Sequence, residues 1–489
     1  MKVFLHLHCI QSALALSIFS PPGCAELSQK TILKNHTLYP QLSTGERARV
    51  EREPIGIYAA HSEQDVIKAV TCAHQTQTRI VPRSGGHSYE SFSSANDALV
   101  IDLANYKSVQ LVEGTQFGSR AIAAIDTGAR LGNIYITLDT LGNYTFNGGT
   151  CPGVGVGGLV GGGGYGLLSR MYGLSSDQIV GMRVVLYNGT LINATSSENS
   201  DLFWALRGGN AGSFGVVTKY YANVYKVPEI TMFSISYNVT AFPDLLDKWQ
   251  NAFYTADSRL TSQFQFWSQK LLLFGQFSGP KEEALSFFKQ SGVLDSSLGI
   301  VSIDFRDDCS MLESKQYPWT FDCDSKKVAS VLHAPVYSAF KTYGKFKADY
   351  FSTAIPRKLA LKISDRILNA PNKDAWIQFE TLGGAISSFS DESSPYSNRK
   401  TMISAQYMVP LTKGESPQNS TNWDWIRQLE AEIKPYTNGH KYQNYPDLEI
   451  GPNYGVAYYG KENFERLKKI KAKYDPNNVF RNEQSIPLP

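Results

Sequence analysis

Between Gly148 and Gly166, eleven of nineteen residues are glycine, more than a quarter of the forty in this 489-residue chain. Glycine loses the most backbone freedom on folding and is favoured where the chain takes positive φ or must approach something closely. A flexible linker would carry serine and other polar residues. This stretch carries Val154, Val156, Leu159, Val160, Leu167 and Leu168 instead, so it is expected to be buried. It contains G-x-G-x-x-G at Gly153, Gly155 and Gly158, with Asp177 about 20 residues later, which formally allows a dinucleotide-binding βαβ unit. The context argues against one. Asn143–Cys151 is polar and glycine-bearing rather than a buried strand, and a second glycine run, Gly161–Gly164, follows at once. So bare a backbone suits a long diphosphate-bearing ligand lying along it, with Cys151 against that ligand.

A second loop, Arg83-Ser84-Gly85-Gly86-His87-Ser88-Tyr89, follows a short apolar strand. Two glycines beside serine make a tight turn whose N–H groups can face phosphate. His87 then sits close to whatever the loop binds, or is simply a surface histidine.

The rest of the chain is a frame for these loops. Its length suggests roughly two to four domains. With 42% hydrophobic residues, global disorder is excluded. The 47 basic and 44 acidic side chains leave a formal charge of only +3, with no clustered basic stripe, so no nucleic-acid partner is expected. The six cysteines contain no C-x-x-C pair and fit neither a zinc site nor a disulfide scaffold. Lys2 followed by the apolar run Ile10–Phe19 reads as a secretory signal, with small residues near Ser17, Ser20 or Ala25 for cleavage. The run is too short and polar to span a bilayer, so no membrane segment is expected. Sequons at Asn35, Asn143, Asn188, Asn193, Asn238 and Asn419 point to the same secreted, glycosylated, extracellular protein.

Helix and strand signals alternate up to about residue 227. Ser62-x-x-Asp65 opens a helix running to about Thr76. Strands are expected at Ile80–Val81, Ala98–Leu103, Ala121–Ile125 and Gly215–Tyr225, helices at Leu131–Leu141 and Asp201–Arg207. Asn188-Gly189 marks a hairpin. From about 229, strand-like runs at Met232–Val239, Gln263–Trp267, Leu271–Phe277, Trp376–Leu382 and Met402–Val409 mix with helical runs at Lys281–Gln290 and Trp423–Tyr436. This predicts an antiparallel sheet backed by helices. Trp376–Leu382 places Gln378 and Glu380 on one face, turned to substrate or to solvent. The tail from about 440, with a basic helix Phe464–Tyr474, is too poor in apolar residues to fold alone.

These motifs resemble the berberine-bridge-enzyme-like flavin oxidases of the vanillyl-alcohol oxidase superfamily, above all the secreted fungal oligosaccharide oxidases. The likeness runs from about Pro54 through R-S-G-G-H-S-Y and C-P-x-V-G-x-G-G-x-x-x-G-G-G-Y-G. It ends at Asn444-Tyr445-Pro446-Asp447 and Lys473-Tyr474-Asp475-Pro476-Asn477-Asn478-Val479-Phe480; residues 229–430 match loosely. It implies an α+β fold: a two-part FAD-binding domain of the p-cresol methylhydroxylase type (50–227, completed by 440–489), an inserted substrate domain (228–439) and a signal (1–23). It implies FAD held covalently by His87 at the flavin 8α-methyl and by Cys151 at flavin C6. Arg83, Ser84, Gly85, Gly86, Ser88, Val154, Gly155, Gly157, Gly158, Gly162 and Gly163 lie at cofactor-binding positions.

Tyr445 falls on the family's general base, a phenol that its site must tune down from a reference pKa of about 10. Tyr165 matches a second tyrosine near the flavin. Val154 occupies the oxygen-gate position with the residue suited to oxidases. The resemblance thus implies a monomeric enzyme that oxidises an alcohol or an oligosaccharide hemiacetal with O₂, giving H₂O₂. A secondary metabolite such as an alkaloid, polyketide or phenolic alcohol is the rival substrate, with dehydrogenase chemistry as a variant. A secreted glycoprotein with a vestigial site is the non-enzymatic alternative. Ser394-Pro395-Tyr396-Ser397-Asn398-Arg399 replaces the usual T-A-F-x-x-R, and Leu159 stands where many relatives carry histidine, so substrate identity stays open. With Cys151 given to flavin and Cys9 lost with the signal, four cysteines remain, which allow three pairings. Cys309 and Cys323 are neighbours in polar surroundings. Cys24 pairs with Cys72 as relatives tie the N-terminus to the first helix, which favours cleavage before Cys24.

Overall fold

The computed structural model describes residues 18–112, 121–332 and 341–489. Most of the expected signal, including Cys9, lies outside the described residues. Among them no helix is long and apolar enough to cross a membrane. All six sequon asparagines are exposed.

The first sheet holds β1 (Thr31–Ile32), β2 (Gly56–Ala59), β3 (Arg79–Arg83) and β4 (Ala98–Asp102) in the order β1-β2-β4-β3. The last three run parallel and β1 antiparallel. β4 is buried along its whole length, as parallel strands covered on both faces are. The crossover helix Glu63–Gln75 starts as expected, with the Ser62 hydroxyl accepting from the Asp65 N–H. Asp65 in turn accepts from the His61 N–H rather than from that of Ser62. The Cys24–Cys72 disulfide ties the N-terminal segment to this helix.

The second sheet is antiparallel. It contains β5 (Val109–Val112), β6 (Ile122–Asp126), β8 (Ile179–Val185), β9 (Leu191–Thr195) and β10 (Val216–Asn223) in the order β5-β6-β10-β8-β9. A short ladder pairs β7 (Tyr144–Thr145) with β11 (Tyr225–Lys226). The hairpin at Asn188-Gly189 is present, but only Gly189 has positive φ, so the turn is not the two-residue mirror-image type. The Gly189 N–H donates to Leu186 O, and Asn188 Oδ1 accepts from the Thr190 N–H.

The third sheet has seven antiparallel strands: β12 (Thr231–Tyr237), β13 (Leu260–Trp267), β14 (Lys270–Phe277), β15 (Ile300–Arg306), β16 (Gly344–Phe351), β17 (Trp376–Thr381) and β18 (Ile403–Pro410). Their order is β15-β12-β14-β13-β17-β18-β16. Phe264, Phe266, Ile377, Phe379, Ala405 and Tyr407 point to one face and form one apolar core with the helices Phe242–Phe253, Lys281–Ser291, Arg357–Leu368 and Thr421–Ile433. The fold is therefore α+β, with an antiparallel sheet backed by helices. The Cys309–Cys323 disulfide closes the segment carrying the helix Met311–Thr320.

β15 and β16 have no counterpart among the expected strands. β15 is an exposed edge whose Val301 and Ile303 face solvent, which defeats a burial pattern. β16 alternates Lys345, Lys347 and Asp349 with apolar residues and reads as half solvated, yet every residue in it is buried. Its charges are answered inside the protein. Lys345 pairs with Asp447 and, at 2.9 Å, with Glu90. Lys347 pairs with Asp447 at 2.8 Å and Glu430 at 2.6 Å. Asp349 meets Lys441 at 3.0 Å. This cluster ties the third sheet to the C-terminal segment. The helix Lys461–Tyr474 then carries the tail back to the first sheets: Lys471 Nζ donates to Ser213 O and Phe480 O, and Phe480 bridges to Ile80.

Removing one partner of a buried ion cluster strands the others without water. Asp447→Ala is expected to lower unfolding free energy in a urea titration by roughly 3–5 kcal/mol. Arg357→Ala, which breaks an exposed pair with Asp244, is expected to change it by less than about 1 kcal/mol.

Candidate functional site

Two loops interlock to start the site. At the end of β3 the buried Arg83 guanidinium donates to Asp102 Oδ2 at 2.6 and 3.0 Å. Arg83 thus fixes the loop from behind and does not border the cavity. Ser84 Oγ donates to Thr127 O at 2.6 Å and accepts from the Gly157 N–H. Gly85 then packs on Gly155, where a Cβ on either residue would overlap the other's backbone. Gly162 packs in the same way against the side chains of Asn444 and Gln443, and Gly163 against Tyr396. Part of the glycine run therefore serves close contacts within the protein, while Gly149, Gly155, Gly157, Gly158, Gly161 and Gly166 border a cavity. Gly158 is different: a Cβ there meets nothing within 4 Å, because it borders open space.

That space is a cavity of about 650 Å³, within the range of ligand pockets. Ser84, Gly85, Gly86, His87, Ser88, Cys151, Val154, Gly155, Gly157, Gly158, Tyr165 and Tyr445 all border it. The third sheet closes it with the face opposite its apolar core. Strand alternation puts Gln263, Gln265 and Trp267 of β13, Trp376, Gln378 and Glu380 of β17, and Gln406 of β18 on this wall. Gln378 and Glu380 are buried in the cavity wall, not set toward solvent. The glutamines and Glu380 form a connected row: Gln265 donates to Gln378, and both Gln263 and Gln378 donate to Glu380.

Tyrosines complete the wall. The Tyr165 and Tyr445 hydroxyls lie 3.2 Å apart, Tyr165 also meets the Ser404 hydroxyl at 3.5 Å, and Glu380 borders the same stretch of wall. Tyr89 stacks between Tyr445 and Phe346, and its hydroxyl accepts from Gln406 Nε2 at 2.6 Å. Tyr442 holds the turn before Tyr445: its hydroxyl accepts from the Gly164 N–H at 2.9 Å and from Asn444 Nδ2 at 3.1 Å. Asp447, two residues on, is anchored in the ion cluster, so the Tyr445 backbone is fixed from both sides.

Burial dominates the electrostatics. It pushes the Tyr445 and Tyr165 phenols well above their ordinary value, and the neighbouring Glu380 charge adds to this. The base reading expects a lowered phenol; the chain's own groups do the reverse, because burial and the Glu380 charge lead and no cation is among the main influences on Tyr445 from the described residues. Burial also raises Glu380 to about 7, with hydrogen bonds from Tyr165, Gln263 and Gln378 acting against it. Burial and then Glu46 raise the Cys151 thiol, which is the one free cysteine among the described residues. His87 Nε2 stands 2.7 Å from Glu46 Oε2. Burial opposes ionisation of Glu46, but the His87 contact and the charges of His87, Arg47 and Arg130 hold it down at about 2.

The donor set fits FAD. The N–H groups of Gly85, Gly86, His87 and Ser88 have no acceptor among the described residues, which suits a diphosphate. Gly158 leaves room along the cavity, and a histidine and a free thiol border the same space. Glu46, Tyr89, Gln263, Gln265, Gln406 and Tyr442 were not singled out from the sequence. The alternation Gln263-Phe264-Gln265-Phe266-Trp267 carries the signal for two of them; Glu46 has none.

The family described as FAD binding domain matches residues 54–195, and that described as berberine and berberine like matches residues 441–487. Berberine bridge enzyme-like 22 of Arabidopsis thaliana is 32% identical over 466 residues, covering 89% of this chain and 84% of that protein. Among solved structures, chitooligosaccharide oxidase superposes with a TM-score of 0.82 at 25% identity, covering 95% of this chain and 98% of that one. Phl p 4, a grass pollen allergen with glucose dehydrogenase activity, gives 0.85 at 25% identity, covering 97% and 99%.

The raised Glu380 carboxyl has a stability signature. The folded protein keeps a proton that the unfolded chain releases above about pH 4.5, so this group's contribution falls as pH climbs from about 4.5 to about 7. Glu380→Gln is expected to remove that fall. In urea titrations its stability relative to wild type should rise by roughly 2–3 kcal/mol between pH 4.5 and pH 8.

Proposed function

The chain belongs to the berberine bridge enzyme-like FAD-linked oxidoreductases, and from that premise we propose that it is a secreted oxidase of sugar hemiacetals, bicovalently flavinylated at His87 and Cys151. The observation that carries the reading is the Tyr445–Tyr165 hydroxyl pair on the cavity wall, set in the field of Glu380, whose carboxyl is held by glutamine amides. Four amides at Gln263, Gln265, Gln378 and Gln406 suit a polyhydroxylated substrate, since each offers a donor and an acceptor. The likeness to chitooligosaccharide oxidase supports the same class.

FAD, when bound, supplies the hydride acceptor and passes the electrons to O₂, giving H₂O₂. The protein's part is placement and proton movement. The glutamines orient the sugar. Tyr445 takes the proton of the reacting hydroxyl as it hands its own to Tyr165, and Tyr165 hands one to Glu380. Ionised Glu380 is the terminal base, so neither high-pKa phenol must ionise alone. A lactone forms, which water opens to an aldonic acid. Val154 borders the cavity and takes the gate position for O₂. An isoleucine-to-valine variant of Phl p 4 is a glucose oxidase, and the valine here supports the same acceptor.

The test is a peroxide assay over cello-, malto- and chito-oligosaccharides and aromatic alcohols. Turnover on an oligosaccharide is expected, and turnover confined to aromatic alcohols would move the protein to the secondary-metabolite reading. Activity should rise with pH through about 7 as Glu380 ionises. Tyr445→Phe and Glu380→Gln should each lower kcat by roughly 10²–10⁴-fold, the latter with loss of the rising limb. Acid-precipitated protein should stay yellow; colourless precipitate would rule out covalent flavin.

A further inference from the structure

We infer that Glu46 is a positioning residue that readies His87 to form its own covalent bond to FAD, a self-modification of this chain; the inference rests on the reading of His87 as an attachment residue. Glu46 lies 41 residues before His87 and belongs to neither glycine-rich motif. Its backbone is locked against the histidine loop. The Glu46 N–H donates to Gly86 O at 3.1 Å, and Glu46 O accepts from the Thr342 N–H at 3.1 Å. Gly45 packs so closely that a Cβ would overlap Gly86 O. The side chain then reaches forward, with Oε2 2.7 Å from His87 Nε2. Gly153 leaves the space for this pair: a Cβ there would come within 2.8 Å of the same ring nitrogen.

A neutral imidazole carries one N–H and one lone pair, and the partner of one nitrogen decides which is which. The carboxylate stands beside Nε2, off the line of an N–H bond in this geometry, so that its charge favours a proton on that nitrogen and leaves the lone pair on Nδ1, which has no partner among the described residues. Nδ1 is then the nucleophile toward the flavin 8α carbon. As it bonds, the ring gains positive charge, which Glu46 faces directly. His87 itself, and after it Arg47 and Arg130, keep that carboxylate ionised against the cost of burial, and its Oε1 lies 3.9 Å from the Arg47 guanidinium.

The chemistry balances with dioxygen as oxidant. One C–H bond of the 8α-methyl and one imidazole N–H break, and one C–N bond forms. The two electrons released pass through the flavin to O₂, which leaves with the two protons as H₂O₂. The imidazole proton departs from Nε2, where Glu46 receives it and returns it to solvent.

The test reads flavin attachment, not turnover. In a C151A background every covalent flavin must sit on His87. Purified protein is precipitated with acid and digested, and the fraction of His87 peptide carrying flavin is measured. C151A should be largely flavinylated, whereas E46Q/C151A should bind FAD with a native-like visible spectrum but show at least a tenfold smaller covalent fraction. E46D/C151A, which keeps a carboxylate on a shorter stem, should recover part of it. Equal covalent fractions in C151A and E46Q/C151A would overturn the role of Glu46. A flavin-free His87 peptide in C151A itself would instead overturn His87 as an attachment residue. If E46Q/C151A does not hold FAD, E46Q alone decides. Flavin on the Cys151 peptide only supports the inference, and flavin on both peptides overturns it.

Discussion

The backbones of Gly85 and Gly155 touch, and neither position has room for a Cβ. Everything at the site depends on that contact. It brings the loop of His87, at the end of a parallel sheet, against the loop of Cys151, which leads into the helix Val156–Gly161. Dispersion between two backbones is weak, so the contact needs anchors on each side. Arg83 buried on Asp102 holds one loop, and Ser84 bonded to Thr127 and Gly157 stitches it to the other. A methyl group at either glycine would push apart the two side chains proposed to hold the cofactor.

The opposite wall is set by charge. Asp447 sits among Lys345 and Lys347, and Lys345 reaches Glu90. A buried ion cluster is no strong source of stability when compared with apolar packing, but it is intolerant of displacement. It specifies where the C-terminal segment lies on the edge of the third sheet. Two residues earlier stands Tyr445, whose hydroxyl reaches Tyr165 in the field of Glu380. Raising Glu380 from 4.5 to about 7 corresponds to about 3 kcal/mol against its ionised form. That cost is what makes the carboxylate basic near neutral pH.

How much of this was legible in the sequence follows from the range of each signal. The capping pattern at Ser62, the hairpin at Asn188-Gly189 and the helix Leu131–Thr140 are local, and local chemistry decided them. β16 was not legible, because its lysines are neutralised by Glu90, Glu430 and Asp447 from distant segments. The motif residues His87, Cys151, Val154 and Tyr445 do share one cavity. What the motifs could not convey was direction: part of the glycine run packs against the protein's own backbone and side chains, and the Tyr445 phenol is pushed up, not down. Glu46 was invisible because its meaning is a single long-range contact.

The third sheet shows how such a site can change its substrate without changing its fold. On β13 and β17 the residues alternate strictly between two jobs. Phe264, Phe266, Ile377 and Phe379 fill the core under the helices, while Gln263, Gln265, Gln378 and Glu380 face the cavity. Core positions are held by close packing, where a methylene gained or lost is felt. Cavity positions answer only to their neighbours on the wall and to the ligand. Because strands pair side by side, a replacement at Gln265 meets Gln378 directly, so the two positions constrain each other. In the proposed function the constraint therefore falls on pairs: Gln265 with Gln378 for recognition, and Gln263 with Glu380 for the base. On that proposal, substitution of the first pair would alter what is bound, whereas substitution of the second would alter the proton's destination.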